Sequence, residues 1–126
     1  MTQRNTQRRP LTELQQAILD FIWSNGPSTS ETLRKGLLPQ HRLKDSSVRT
    51  LLRRLEERGY LTHTTEGKMF VYKATARRTS VAAKAVRQII DRFWSGSAEQ
   101  FLAGMVDEKV LSADAITRLA KKVRKA

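Results

Sequence analysis

Hydroxyls followed by guanidiniums along one helical face are the residues in this chain best placed to do chemistry, and that chemistry is recognition. In DSSVRTLLRRLEERGYL, Ser46, Thr50 and Arg53 recur at the helical period, flanked by Ser47, Arg49 and Arg54. Serine and threonine hydroxyls bond to base edges, while guanidiniums bind bases or clamp phosphates. A helix that enters a major groove N-terminus first presents its side chains in that order. Gly59 stops the helix, and YLTHTT and KMFVYKA then bracket Glu66, Gly67 and Lys68, a turn with a cation at its tip. A helix followed by a basic-tipped hairpin reads as a recognition helix plus a wing.

Catalysis has little to draw on. His41 and His63 are the only histidines, on a predicted loop and a predicted strand, and no Ser/His/Asp set, phosphate loop or HExxH motif accompanies them. Cysteine is absent, which excludes disulfides and thiolate metal sites; two histidines with scattered acids make a poor zinc site. No catalytic residue, metal or cofactor is expected.

The outer face of the recognition helix is set by the inner one. Val48, Leu51, Leu52 and Leu55 fall at the i, i+3, i+4, i+7 spacing of a buried stripe, and Asp45 is placed to cap the helix start. Upstream, Thr12 and Gln15 form a capping box for a helix that runs to about Ser24, with Leu14, Ile18, Phe21 and Ile22 inward; Asn25, Gly26 and Pro27 end it. A Ser28 and Glu31 capping pair opens a short second helix, SETLRKGLL, with Leu33 and Leu37 inward. PQHRLK then connects to the recognition helix by a turn longer than a tight helix-turn-helix needs. In the hairpin Leu61, Phe70 and Tyr72 are expected inward, although a slip of one residue would reverse every side chain.

Thr79 or Ser80 caps a longer helix, SVAAKAVRQIIDRFW, with Ala82, Val86, Ile89, Ile90 and Phe93 on one side, broken at Ser95 and Gly96. SAEQFLAGMV is a short amphipathic helix. Ser112 caps a last one, in which Ile116, Leu119, Ala120 and Val123 align. These helices follow an already complete small domain and bury little alone. Either they fold back on that domain, or, the preferred expectation, they build a core with a second copy of the chain. The expected dimer surface is Ile90, Phe93, Trp94, Phe101, Leu102, Met105, Leu111, Ile116, Leu119 and Val123. Two recognition helices one DNA turn apart would read a palindrome.

Charge agrees with a polyanionic partner: Lys and Arg number 24 against 12 Asp and Glu, a net charge of +12 over 126 residues. Arg4, Arg8 and Arg9 crowd an N-terminal arm that either touches a groove or only solubilises. Arg42, Lys44 and Arg58 join the recognition-helix cations, and Lys73, Arg77, Arg78, Lys84, Arg87 and Arg92 follow the hairpin. From Phe93 to Thr117, Glu99, Asp107, Glu108 and Asp114 outnumber Lys109, so that segment is expected to assemble rather than touch phosphate. The expected division is a flexible basic arm at 1–10, a DNA-binding domain at 11–78 and a helical dimerisation region at 79–126. No signal peptide or spanning run is seen, and a cytoplasmic location is expected. The rival class is a non-specific nucleic-acid-binding protein, of nucleoid or RNA-binding type. RNA recognition favours stacking aromatics on an open sheet, and only Phe70 and Tyr72 offer that.

The succession LTELQQAILDFIW, SSVRTLLRRLEERGYL, HTTEGKMFVYKA, DRFWSG and a terminal LSADAITRL resembles the penicillinase-repressor (BlaI/MecI/CopY) family of bacterial transcriptional regulators, from about Leu11 to Val123. The resemblance implies a mainly α fold with a small β-hairpin wing: a winged helix-turn-helix DNA-binding domain plus a C-terminal helical dimerisation region. It implies repression at an inverted-repeat operator, in resistance-gene promoters and often the repressor's own. Ser46, Ser47, Arg49, Thr50 and Arg53 fall where the family's recognition helix meets the groove, and Lys68 where members commonly carry a basic wing residue. Copper-responsive members bear paired cysteines near the C-terminus, where this chain reads AKKVRKA. The β-lactam-responsive members have a membrane receptor with a zinc protease domain as their inducer-sensing partner and are cut at an Asn-Phe bond in the dimerisation region. Counting from DRFWSG, the corresponding pair here is Gly104 and Met105.

Overall fold

A computed structural model describes residues 9–125, so the expected arm, apart from Arg9 and Pro10, lies outside the described residues. The elements are α1 (Glu13–Asn25), α2 (Ser30–Gly36), α3 (Asp45–Glu57), β1 (Leu61–Glu66), β2 (Met69–Ala74), α4 (Arg78–Trp94), α5 (Ala98–Asp107) and α6 (Ala113–Lys125). The mainly helical fold with one antiparallel hairpin is the one expected. The chain packs as two units, one up to Ala83 and one from Lys84, the division falling within α4.

Local capping chemistry starts several of the helices. The Thr12 and Gln15 capping box is present: Gln15 N–H donates to Thr12 Oγ1 at 3.2 Å and Thr12 N–H to Gln15 Oε1 at 3.0 Å. Three expected caps are corrected. Thr29, not Ser28, caps α2, its Oγ1 accepting from Thr32 N–H at 3.2 Å. Ser28 is drawn into extended pairing, exchanging backbone hydrogen bonds of 2.9 and 2.8 Å with Tyr72. Asp45 is already the first helical residue of α3, so its carboxylate pairs along the helix with Arg49 at 3.0 Å, while Lys44 occupies the cap position without a side-chain bond. That carboxylate still lies at the positive end of the helix dipole. Finally, α4 begins at Arg78, ahead of Thr79 and Ser80: the Arg77 carbonyl accepts the first helical bond, from Val81 at 3.1 Å. At that start Arg78 lies against α1, its guanidinium 5.4 Å from the Trp23 ring centre.

The core of the first unit gathers Ile18, Leu19 and Ile22 from α1, Leu33 and Leu37 from and just after α2, Val48, Leu52 and Leu55 from α3, and Leu61 and Tyr72 from the hairpin. Each large aliphatic side chain so buried contributes roughly 1.5–3 kcal/mol against exposure. Gln15 is also buried, and its Oε1 is satisfied by Thr12 N–H and by Arg58 Nη1, which donates at 3.0 Å. Arg58 Nη2 donates in turn to the Arg9 carbonyl. Behind the wing the chain is tied down: Thr75 N–H donates to the Tyr60 carbonyl at 3.0 Å and Trp23 Nε1 to the Ala76 carbonyl at 2.9 Å.

The hairpin pairs Leu61 with Ala74 through Glu66 with Met69, closing on a Gly67-Lys68 turn. Gly67 has φ of 64°, the left-handed conformation that such a two-residue turn requires. Leu61, His63 and Thr65 share a face with Phe70, Tyr72 and Ala74. Leu61 and Tyr72 are buried as expected, but Phe70, expected inward, is 48% exposed. The alternation is as anticipated. The wing, however, parts from α3 there, and among the described residues of the first unit the Phe70 ring borders an open groove rather than the core.

In the second unit, Ser97 Oγ caps α5 by accepting from Gln100 N–H at 3.1 Å, and Ser112 Oγ caps α6 by accepting from Ala115 N–H at 3.0 Å. Trp94 stands edge-on to Phe101, ring centres 5.4 Å apart, and its indole lies against Gly104, where an added Cβ would sit 3.1 Å from Cζ2. Ile90 is the one buried hydrophobic side chain among the described residues from Lys84 onward.

Candidate nucleic-acid interface

Burial of Val48, Leu52 and Leu55 turns the opposite side of α3 outward. Ser46, Arg49, Arg53 and Arg54 are exposed there, with Ser47 and Thr50 half-exposed. Thr50 Oγ1 donates to the Ser46 carbonyl at 3.0 Å, so in this rotamer its hydroxyl offers lone pairs outward, the chemistry that meets an adenine or cytosine amino group. These residues divide between two sides of the helix. Ser46, Ser47 and Thr50 border a shallow depression with Leu14, Leu43 and Leu51. Arg49 and Arg53 line an open groove between α3 and the wing, together with Lys68.

That groove also holds residues the sequence did not single out for it. Arg34 of α2 and Lys44 join its cations; Glu31, Asp45, Glu56 and Glu57 supply carboxylates; Met69, Phe70 and Tyr72 form its wing wall. The spacing of Arg34 in α2 carried a signal, since it lies off the Leu33 and Leu37 stripe. Nothing in the sequence marked Phe70 as exposed. The carboxylates hold the guanidiniums loosely: Arg49 meets Asp45 at 3.0 Å and Arg53 meets Glu57 at 3.8 Å, both well-exposed i,i+4 pairs of small worth. Over residues 9–83 the charge still favours cations, 13 Lys and Arg against seven Asp and Glu. Glu56 is differently engaged, with Oε1 2.6 Å from His63 Nδ1, joining the end of α3 to β1. The His63 ring stacks on Phe70, centres 4.2 Å apart at 18°. Burial pushes the Tyr72 phenol above its usual pKa, and the Glu56 carboxylate adds to this while Arg49 opposes it.

Of the apolar residues in the second unit, Phe93, Leu102, Leu111, Leu119 and Val123 are exposed and Trp94, Phe101, Met105 and Ile116 half-buried, whereas Ile90 is buried within the chain itself. Gly104 and Met105 lie inside α5. Among the described residues no group of His, Cys, Asp and Glu could hold a metal ion, and no helix is long and apolar enough to cross a membrane.

The family description "Penicillinase repressor" matches residues 11–125. The chain belongs to the penicillinase repressor family. This family member is similar, at 29% identity over 102 residues, to an uncharacterized 16.5 kDa protein of Latilactobacillus sakei, covering 81% of this chain and 70% of the relative. It is 21% identical to the methicillin resistance regulatory protein MecI of Staphylococcus aureus, over 81% of this chain and 83% of that one. It is 22% identical to the penicillinase repressor of Bacillus licheniformis, over 81% and 80%. Two solved structures share its fold: a transcriptional regulator from Thermotoga maritima, with a TM-score of 0.53 at 22% identity over 91% of this chain and 72% of that one, and a MarR family protein from Bacillus stearothermophilus, with a TM-score of 0.50 at 18% identity over 98% and 83%. The penicillinase repressor family is one of transcriptional regulators, so this chain is a winged-helix regulator of the repressor type and not an enzyme.

Proposed function

We propose that this regulator is a homodimeric, sequence-specific repressor that holds an inverted-repeat operator in duplex DNA. The observation that carries it is the buried row Val48, Leu52 and Leu55, which leaves Ser46, Thr50 and Arg53 facing outward, with Arg53 in the groove that runs to a wing tipped by Lys68. Ser46, Ser47 and Thr50 approach base edges; Arg49, Arg53 and Arg54 reach bases or flanking phosphate; Lys68 clamps phosphate beside them. The DNA-binding domain spans 11–78 and the dimerisation region 79–126. Its exposed apolar residues, Phe93, Leu119 and Val123 at 68%, 61% and 67%, support a second copy as the covering surface. The names of the methicillin and penicillinase regulators support control of β-lactam resistance genes.

Gel-shift titration of the protein's own promoter against a scrambled duplex and a matching RNA tests this. The promoter is expected to bind at least ~1000-fold more tightly than scrambled DNA. Equal affinity for all three would replace the repressor with a non-specific nucleic-acid-binding protein.

A further inference from the structure

We propose that Phe70 is a specificity-determining contact of this interface, its exposed ring receiving the 5-methyl group of a thymine in the operator half-site, with His63 as the positioning residue behind it. The proposal rests on operator binding as stated above and names what one part of that site reads. Phe70 is 48% exposed on the wing face that looks into the groove beside α3, not on the outer face that carries Thr62, Thr64 and Lys73.

The ring is held before any ligand arrives. His63 stacks on it at 4.2 Å, Tyr72 stands edge-on at 6.3 Å, and His63 Nδ1 lies 2.6 Å from Glu56 Oε1 at the end of α3. An aromatic fixed in this way loses little rotamer freedom on contact. Cations from three elements line the same groove, Arg34 from α2, Arg49 and Arg53 from α3 and Lys68 from the turn, and with Lys44 they outnumber the carboxylates of Glu31, Asp45, Glu56 and Glu57 by one, so a phosphate backbone has cationic partners on either side of the ring. Among the base edges of the major groove, the thymine methyl is the apolar group, and it is the one a phenyl ring complements.

The test uses the full chain and a consensus duplex recovered from a random-sequence pool. Dissociation constants are measured by fluorescence anisotropy with each thymine replaced in turn by deoxyuridine, which removes only the methyl. One position per half-site should weaken the unaltered protein by roughly three- to tenfold, the scale of burying a single methyl group. Phe70→Ala should bind the intact consensus as weakly as the unaltered protein binds the deoxyuridine version, and lose nothing further on it. Phe70→Leu should keep the sensitivity, which separates contact from misfolding, and His63→Ala should blunt it. The proposal is overturned if no position responds, if Phe70→Ala stays sensitive, or if Phe70→Ala weakens consensus and random duplex alike, as a sugar or phosphate contact would. Recovery of a consensus with any of these results overturns the Phe70 contact alone; recovery of no consensus overturns operator binding and this contact with it.

Discussion

Replacing Arg53 by alanine separates base reading from phosphate clamping. Its Nε lies 3.8 Å from Glu57 Oε1, and the two side chains are 69% and 67% exposed. So open a pair is worth roughly 0.3–0.5 kcal/mol. A guanidinium contact to a base edge discriminates by about 1–3 kcal/mol. A base contact would therefore outcompete Glu57, the cost of freeing the arginine being roughly a tenth to a half of what the contact returns. Arg53→Ala should weaken operator binding by roughly five- to a hundredfold, at about 1.4 kcal/mol per tenfold, while lowering folding stability by no more than ~0.5 kcal/mol. The assay is anisotropy titration at one fixed salt concentration, with operator and scrambled duplex side by side, alongside a denaturant melt. An equal loss on both duplexes would show that Arg53 grips phosphate, and the assignment of base reading to this row would fail at its third member.

Lys68→Ala should weaken operator and scrambled duplex alike and reduce the slope of log affinity against log salt by about one, as loss of one phosphate contact does; a loss confined to the operator would make Lys68 a reader of sequence. Leu119→Asp combined with Val123→Asp should shift sedimentation from dimer to monomer with helical circular dichroism retained, because both side chains are mostly exposed in the single chain; a surviving dimer would move the assembly surface elsewhere. The Tyr72 phenol has its pKa raised from 10.0 by burial, so its share of stability is fully present below pH 10.0 and is lost as pH climbs through the higher folded value. Tyr72→Phe should remove that alkaline decline, and identical urea midpoints against pH above 10.0 for the two proteins would contradict it.

Much of the first unit was legible in its amino acids because amphipathic periodicity and reciprocal capping are local. Val48, Leu52 and Leu55 declare their buried side within three turns, and Thr12 with Gln15 declares a helix start within four residues. What escaped depends on partners far along the chain. Ser28 has the composition of a cap, but Tyr72 claims its backbone from 44 positions away. Phe70 has the alternation of a core residue, yet where a hairpin parts from the helix beside it is a matter of tertiary layering, invisible to period-two patterning. Asp45 shows a third kind of miss: one residue of difference in where helical geometry begins converts a cap into an intrahelical ion pair.

The tight seating of the Trp94 indole over Gly104 also limits what α5 can carry at that position. Any side chain at position 104 must displace the indole by a few tenths of an ångström, starting from a Cβ only 3.1 Å away. A side chain installed at Gly104 would thus disturb the Trp94 and Phe101 pair against which α5 packs. Room at position 104 and the placing of Trp94 are therefore set together: a larger residue there is accommodated only as far as the indole gives way.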